Sequence, residues 1–298
     1  DADCAIIRIK DTNIGIGISI DGNGKTTYLN PLEGGKIAVA EACRNLICSG
    51  VEPLAITNCL NFGDPTTQLV SHQLNESVNG ISESCNTFGI PVISGNVSLY
   101  NSTERGAIFP TPIIGAVGKI NNVKSIITSK FKNYNDLVIL LGSSALSNDH
   151  NDLAGSEYLE IIHKKIAGSP RIDLEFENRL QKCCLNLINN GLIISAHDCS
   201  EGGIAVTIAE SCILSNIGFE SEIEINGRWD VSLFGEKQSQ IIVSINPNQM
   251  NLFSKICSDF HIPFTTLGIT KPEIFKINSL ILNTVSELKN AYSTNFVK

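Results

Sequence analysis

No run of lysine or arginine longer than two residues occurs in the 298-residue sequence, and the formal net charge is −8. The basic stripe that tracks a nucleic-acid backbone or an anionic membrane surface is missing, so neither partner is expected. Apolar runs are short and broken by glycine or serine, far below the ~20 residues a bilayer span requires. The opening Asp1-Ala2-Asp3 is not a basic-then-apolar leader. No Cys-x-x-Cys pair occurs among the ten cysteines, which excludes the zinc ribbon and the dithiol redox motif. Cys43, Cys48, Cys183, Cys184 and Cys212 fall inside apolar helical patterns, where a free thiol behaves as a small buried hydrophobe. Unpaired thiols suit a reducing compartment, so a cytoplasmic location is expected. The sequons at Asn75, Asn96 and Asn101 then read as chance matches.

A hydrophobic content of 42% with 17% charge excludes disorder, and the length suits two domains. Apolar strands alternate with amphipathic helices, the pattern of a layered α/β and α+β protein. Residues 5–10 and 14–20 read as strands. Asp21-Gly22-Asn23-Gly24 reads as a hairpin turn, with strand resuming over Thr26-Thr27-Tyr28-Leu29. Ile37, Ala40, Cys43 and Ile47 share one face of a helix expected from Gly35 to Cys48. Gly34, Gly35 and the alanines keep it thin enough for close packing. A strand over 54–57 should run into a polar loop at 58–65, and a helix over 67–88 should stop at Gly89. Strands follow at 91–95 and 112–117. The polar stretch 119–136 marks a boundary, giving domains of 1–122 and 123–298. In the second, strands are expected at 137–141, 192–195, 223–225, 241–245 and 265–269. Helices are expected at 155–165, 175–190, 203–214, 247–258 and 284–292.

Gly24-Lys25-Thr26 invites a phosphate-loop reading, but that motif needs glycine where Ser19 stands and a helix after the loop. The hairpin is preferred. Asp21-Gly22-Asn23 lacks the downstream acidic ligands of a calcium loop. Three polar loops at strand ends say more: Thr57–Pro65, Ser94–Ser98 and Ala196–Gly203. Open α/β sheets gather ligands at strand ends, where glycine admits a phosphate and asparagine or serine adds hydrogen bonds without bulk. A helix begins at Ser200-Glu201-Gly202-Gly203, so its first N–H groups can face an anion. Capping and turn formation account for the same residues without a ligand. Taken together, the loops point to a nucleotide or phosphate. His197 and Asp198 are strand neighbours facing opposite ways, which argues against an acid–base pair. The other histidines are isolated, and Cys59 has no recognisable partner. No complete catalytic set is visible.

Several stretches nevertheless carry a resemblance. Pro31-Leu32-Glu33-Gly34-Gly35-Lys36-Ile37-Ala38-Val39-Ala40-Glu41-Ala42, Leu60-Asn61-Phe62-Gly63 and Ser94-Gly95-Asn96-Val97-Ser98 are three of them. Gly155-Ser156-Glu157-Tyr158-Leu159, Ser195-Ala196-His197-Asp198 and Leu233-Phe234-Gly235-Glu236 follow in order. This series resembles the PurL type of phosphoribosylformylglycinamidine synthase, along nearly the whole chain but only over the second half of the family's length. Family members carry two copies of a two-domain unit shared with aminoimidazole ribonucleotide synthetase. The resemblance implies a PurM-like unit, with an N-terminal domain that pairs through its sheet and a C-terminal α+β domain. It implies ATP and Mg²⁺, activation of the formamide oxygen of formylglycinamide ribonucleotide, and ammonia from a glutaminase subunit. The missing N-terminal half and a small PurS-type subunit are the other implied partners.

Matched by position, the resemblance implies nucleotide contacts at Asn58 and Gly95, a metal contact at Asn96 and a substrate contact at Ser98. The family usually has aspartate where Asn58 stands; asparagine keeps one acceptor oxygen and loses the charge. Asp198, Glu236 and Gln238 match positions that bind metal and substrate in the first copy. The family's catalytic histidine and main metal carboxylates belong to the first half, so this chain alone is expected to be inactive. A reading of another class is a structural module that holds the first half and partner subunits, with or without an auxiliary nucleotide. Several apolar strands with two long helices to cover them predict an open sheet face, which in isolation would close a twofold homodimer.

Overall fold

The computed structural model of the chain describes residues 2–294. Strands β1 (Ala5–Arg8) and β2 (Gly15–Asp21) pair antiparallel and lead into helices α1 (Gly24–Leu29) and α2 (Pro31–Cys48). Then come β3 (Glu52–Asn61), α3 (Gln68–Phe88) and β4 (Val92–Ser98). A small ribbon, β5 (Ser102–Thr103) and β6 (Gly106–Ala107), precedes β7 (Thr111–Ile120). The sheet order is β1-β2-β7-β3-β4, antiparallel except for β3 beside β4. That parallel pair needs a crossover, and α3 supplies it. β2 and β7 alternate in burial, as a sheet covered on one face must.

Helices α2 and α3 cover that face over Ile56, Leu60, Ile114 and Ala116. They cross at backbone distance: a Cβ on Gly80 would lie 2.0 Å from the Leu32 carbonyl oxygen, and one on Gly35 2.3 Å from that of Ser77. The opposite face is open, with Ile7 61%, Ile16 39%, Ile18 38% and Ile20 72% exposed.

Three local expectations change here. Residues 24–29 are helical because the Asn23 side chain accepts from the Lys25 and Thr26 amides at 3.0 and 3.1 Å, a cap that overrides the strand preference of two threonines. This removes one of the two arguments against a phosphate loop; Ser19 in place of glycine stands as the other. α2 begins four residues before Gly35 because Asn30 caps it and Pro31 occupies its first turn. Asn58 to Asn61 continue β3, and Ser94 to Ser98 continue β4, instead of forming loops, since these segments pair with each other and β7 pairs with β3 from its other side.

Residues 121–136 connect to a second sheet and bury Ile127 and Phe131 on the way. Its elements are β8 (Leu137–Leu141), α4 (Glu157–His163), α5 (Leu174–Asn189), β9 (Ile193–Asp198), α6 (Gly203–Ser215) and β10 (Ile217–Ser221). They continue with α7 (Trp229–Phe234), β11 (Ile241–Ile245), α8 (Met250–Asp259), β12 (Phe264–Pro272), β13 (Ile274–Ile277), β14 (Ile281–Thr284) and α9 (Val285–Thr294). The order is β14-β13-β10-β12-β8-β11-β9. β8 and β11 are interior strands, buried along almost their whole length and apolar except for Ser244, as strands covered on both faces should be. α5 and α8 pack one face through Leu180, Leu187 and Phe253. α6 packs the other through Ile204, Ile208 and Cys212, with Val285 of α9 beside it. The strand expected at 223–225 lies instead at β10; Ile223 leaves the ladder and donates its N–H to Asn278 Oδ1 at 2.9 Å.

All ten cysteines are free, and all but Cys59 are buried. No helix among the described residues is long and apolar enough to cross a membrane.

Candidate functional site

The seam between the two sheets is built on α2. Gln181 of α5 donates to the Ala40 carbonyl at 3.0 Å, Asn178 to that of Thr87 at 2.9 Å, and Glu33 accepts the Ile172 N–H at 2.8 Å. At its centre lies Arg44, fully buried. Its guanidinium meets Asp198 of β9, Glu177 of α5 at 3.0 Å and Glu41 at 3.8 Å, and donates to Gln238 Oε1 at 3.2 Å. Burial works against the Arg44 charge, but Asp198, Glu177 and Glu41 outweigh it and hold the proton more firmly than usual.

Above this floor opens a cleft of about 580 Å³. One side is Asn23, Thr26, Ile37 and Glu41; the other is Ser143, Ser147, Asp152, Arg171, Ser200, Glu201 and the run Glu236-Lys237-Gln238-Ser239. The cleft is acidic underneath. Burial, then the charges of Glu201 and Asp198, pushes the Asp21 carboxyl up to about 7. Burial also raises Glu41 well above its ordinary range, and it raises Asp198 to about 6 despite Arg44. Asp198 Oδ2 is buried without a hydrogen-bond partner. One guanidinium does not neutralise this many carboxyl groups, so the site favours protons or a further cation. Among the described residues, no three His, Cys, Asp or Glu side chains form a ready-made metal cage.

The structure brings Asp198, Glu236 and Gln238 to this one place, Asp198 in the floor beside Arg44 and the other two in the wall. Gly202 at the start of α6 was expected to offer its N–H to an outside anion. That N–H donates instead to Glu236 Oε1 at 2.8 Å, and the Glu157 N–H donates to the same oxygen at 2.8 Å. The Glu236 carboxyl is pushed up to about 7 by burial, against the pull of those two hydrogen bonds. His197 and Asp198 do face apart. His197 lies between Asp3, 2.9 Å from Nδ1, and Glu210, 3.2 Å from Nε2.

The other expected residues lie on β3 and β4, outside the cleft lining. Asn58 is in register with Gly95, and a Cβ on Gly95 would sit 2.4 Å from Asn58 Oδ1, so the amide lies directly over the glycine. Asn96 is in register with Cys59 and reaches its Sγ at 3.7 Å. Ser98 is in register with Asn61, and its hydroxyl donates to Asn101 Oδ1 at 3.3 Å. By the alternation of strands, Asn58 and Gly95 share the helix-side face with Leu60, whereas Asn96 and Ser98 share the open face. Cys59 and Asn61 beside them carry no carboxylate, so Asn96 by itself is a poor magnesium site.

The sequence reading passed over Glu41 and Arg44. Their signal was present: two opposite charges one turn apart inside the apolar stripe of a helix.

Two comparisons bear on the family. The AIR synthase related protein N-terminal domain matches residues 1–120, and the corresponding C-terminal domain matches 134–273. Phosphoribosylformylglycinamidine synthase subunit PurL of Caldanaerobacter subterraneus is 43% identical over 270 residues, 90% of this chain and 36% of that protein. This chain belongs to the AIR synthase related family, PurL type. The PurL subunit of Thermomicrobium roseum is 41% identical over 302 residues, 100% of this chain and 40% of its own. Thermotoga maritima PurL shares the fold: its complex with FGAR superposes with TM-score 0.79 at 17% identity, covering 97% of this chain and 48% of that one. Its ATP complex gives 0.75 at 16%, covering 96% and 46%. The chain thus spans between about a third and just under half the length of these relatives.

Proposed function

We propose that this chain is the second PurM-like half of a phosphoribosylformylglycinamidine synthase. The whole enzyme would convert FGAR to the amidine with Mg-ATP and glutamine-derived ammonia. The observation that carries the reading is a match spanning all of this chain and 40% of a PurL subunit. The open face of β1, β2 and β7 supports it, because such a face needs a second sheet against it. The other half of the enzyme would supply that sheet in the complete protein, with a glutaminase and a small PurS-type subunit attached, in the cytoplasm. Asn96 and Ser98, on the open face, would serve a metal and substrate site that this other half completes, with Asn58 and Gly95 contacting the nucleotide from the helix side of the same two strands.

The interdomain cleft suits a magnesium nucleotide in its own right. Its size falls within the ~300–1,000 Å³ typical of ligand sites. Lys237 and several serines offer donors to phosphate. Magnesium commonly takes one or two carboxylates plus phosphate oxygens, and Asp198 with its free Oδ2, next to Asp21 and Glu41, matches that donor set. When bound, the ion would neutralise the buried acids, and Arg44 would hold Asp198 in place.

A second reading has a specific observation behind it. Arg44 is already spent as a resident cation, which suits a nucleotide held for structure in a non-catalytic module. FGAR- and ammonia-dependent phosphate release, measured on this chain and on the complete protein, tests the main reading. The complete protein should turn over and the chain alone should not. A complete protein without FGAR-dependent turnover would overturn the assignment.

A further inference from the structure

We infer that Glu236 is a positioning residue whose carboxylate ties together the three loops forming one wall of the cleft. The inference rests on the reading of the cleft as a nucleotide site and adds how its wall is held. A single oxygen, Oε1, accepts the Glu157 and Gly202 N–H groups, each at 2.8 Å. The same residue's own N–H donates to the Asp152 carbonyl at 2.7 Å. The turn before α4, the turn before α6 and the segment leading into β11 are therefore joined through one side chain and its backbone.

These three loops carry Asp152, Ser200, Glu201 and Gln238 into the cleft. There is little slack around the knot. Gly202 has φ +80°, and a Cβ on Gly203 would lie 2.5 Å from the Gly235 carbonyl oxygen. Glu201 and Glu157 repel the Glu236 charge, yet the carboxylate stays on its two amides. If it turned outward to take a ligand, both amides would lose their acceptor. The geometry assigns it to the protein.

Glu236→Ala and Glu236→Gln separate this role from a ligand contact, because glutamine keeps Oε1 as an acceptor and removes the charge. Both variants are made in the complete protein. Amide hydrogen exchange is followed over segments 155–160 and 200–206, and Mg-ATP binding is measured by calorimetry. Glu236→Ala should speed exchange in both segments about tenfold or more and weaken Mg-ATP about tenfold, while Glu236→Gln stays within about threefold of the parent in both. Unchanged exchange in either segment of the alanine variant overturns the inference. So does a natively folded glutamine variant as impaired as alanine. Should alanine not fold, the glutamine variant decides alone: parental exchange supports the inference, and lost protection in both segments overturns it. A parent that binds no Mg-ATP removes the nucleotide reading, and the exchange comparison still decides Glu236.

Discussion

Arg44 and Asp198 form a buried ion pair across the seam, joining the helix under the first sheet to an edge strand of the second. Removing the guanidinium leaves Asp198, Glu177 and Glu41 facing one another in a dry interior. Arg44→Met should therefore destabilise the chain by roughly 3–5 kcal/mol, the usual result of orphaning a buried charge. Urea unfolding checks this. Arg44→Met combined with Asp198→Leu should lose less than the sum of the two single changes, because neither charge is then left alone.

The buried acids make stability fall as pH rises. Asp21 is raised from 3.8 to about 7, and Asp198 from 3.8 to about 6, so both bind their proton more tightly when folded. Their contribution is complete below about pH 4 and is lost as pH climbs through about 6 to 7. Asp21→Asn should flatten that decline in thermal melts recorded across the window.

His197 should produce a later decline. Burial opposes its charge, but Asp3 and Glu210 outweigh it and raise the imidazole from 6.5 to about 10. The stabilisation is full below about pH 6.5 and disappears as pH rises through about 10. In His197→Gln the unfolding free energy should change little across this range. An equally steep fall in the variant would assign the titration to another group.

Asn96→Ala, made in the complete enzyme, should weaken Mg-ATP use by about 1.5–3 kcal/mol, the worth of a hydrogen bond to a charged group. The far-ultraviolet spectrum should not change. Unaltered dependence of rate on ATP would leave Asn96 as a strand residue beside Cys59 and nothing more.

The open sheet face should govern association of the isolated chain. Light scattering should find a twofold dimer at micromolar concentration, and Ile18→Asp with Ile20→Asp should give monomers. A parent chain that is already monomeric and binds no apolar dye would count against the pairing face.

What could be read from the sequence follows the range of the forces involved. Helix α3 and its stop were legible because period and terminator are local: Gly89 adopts φ +70° just past the last turn. β8 was legible as an unbroken apolar run. α1 was misread because one side-chain cap outweighed the strand preference of Thr26 and Thr27. The candidate site was legible in part: the polar loop at 196–203 carried Asp198, and resemblance added Glu236 and Gln238. Glu236 meets partners 79 and 34 positions away, and Arg44 meets Asp198 across 154. No periodicity or spacing encodes such contacts; they exist only once both sheets are in place.

The glycine crossing of α2 and α3 has a mechanical consequence. Where main chain touches main chain, as at Gly35 and Gly80, there is no side chain to rotate and so no play in the joint. Glu41 and Arg44 sit on the same helix, about 9 and 14 Å further along it. The floor of the cleft is in effect an anvil. A ligand would therefore meet, on the side of α2, a jaw whose position is set by backbone contact and not by side-chain packing.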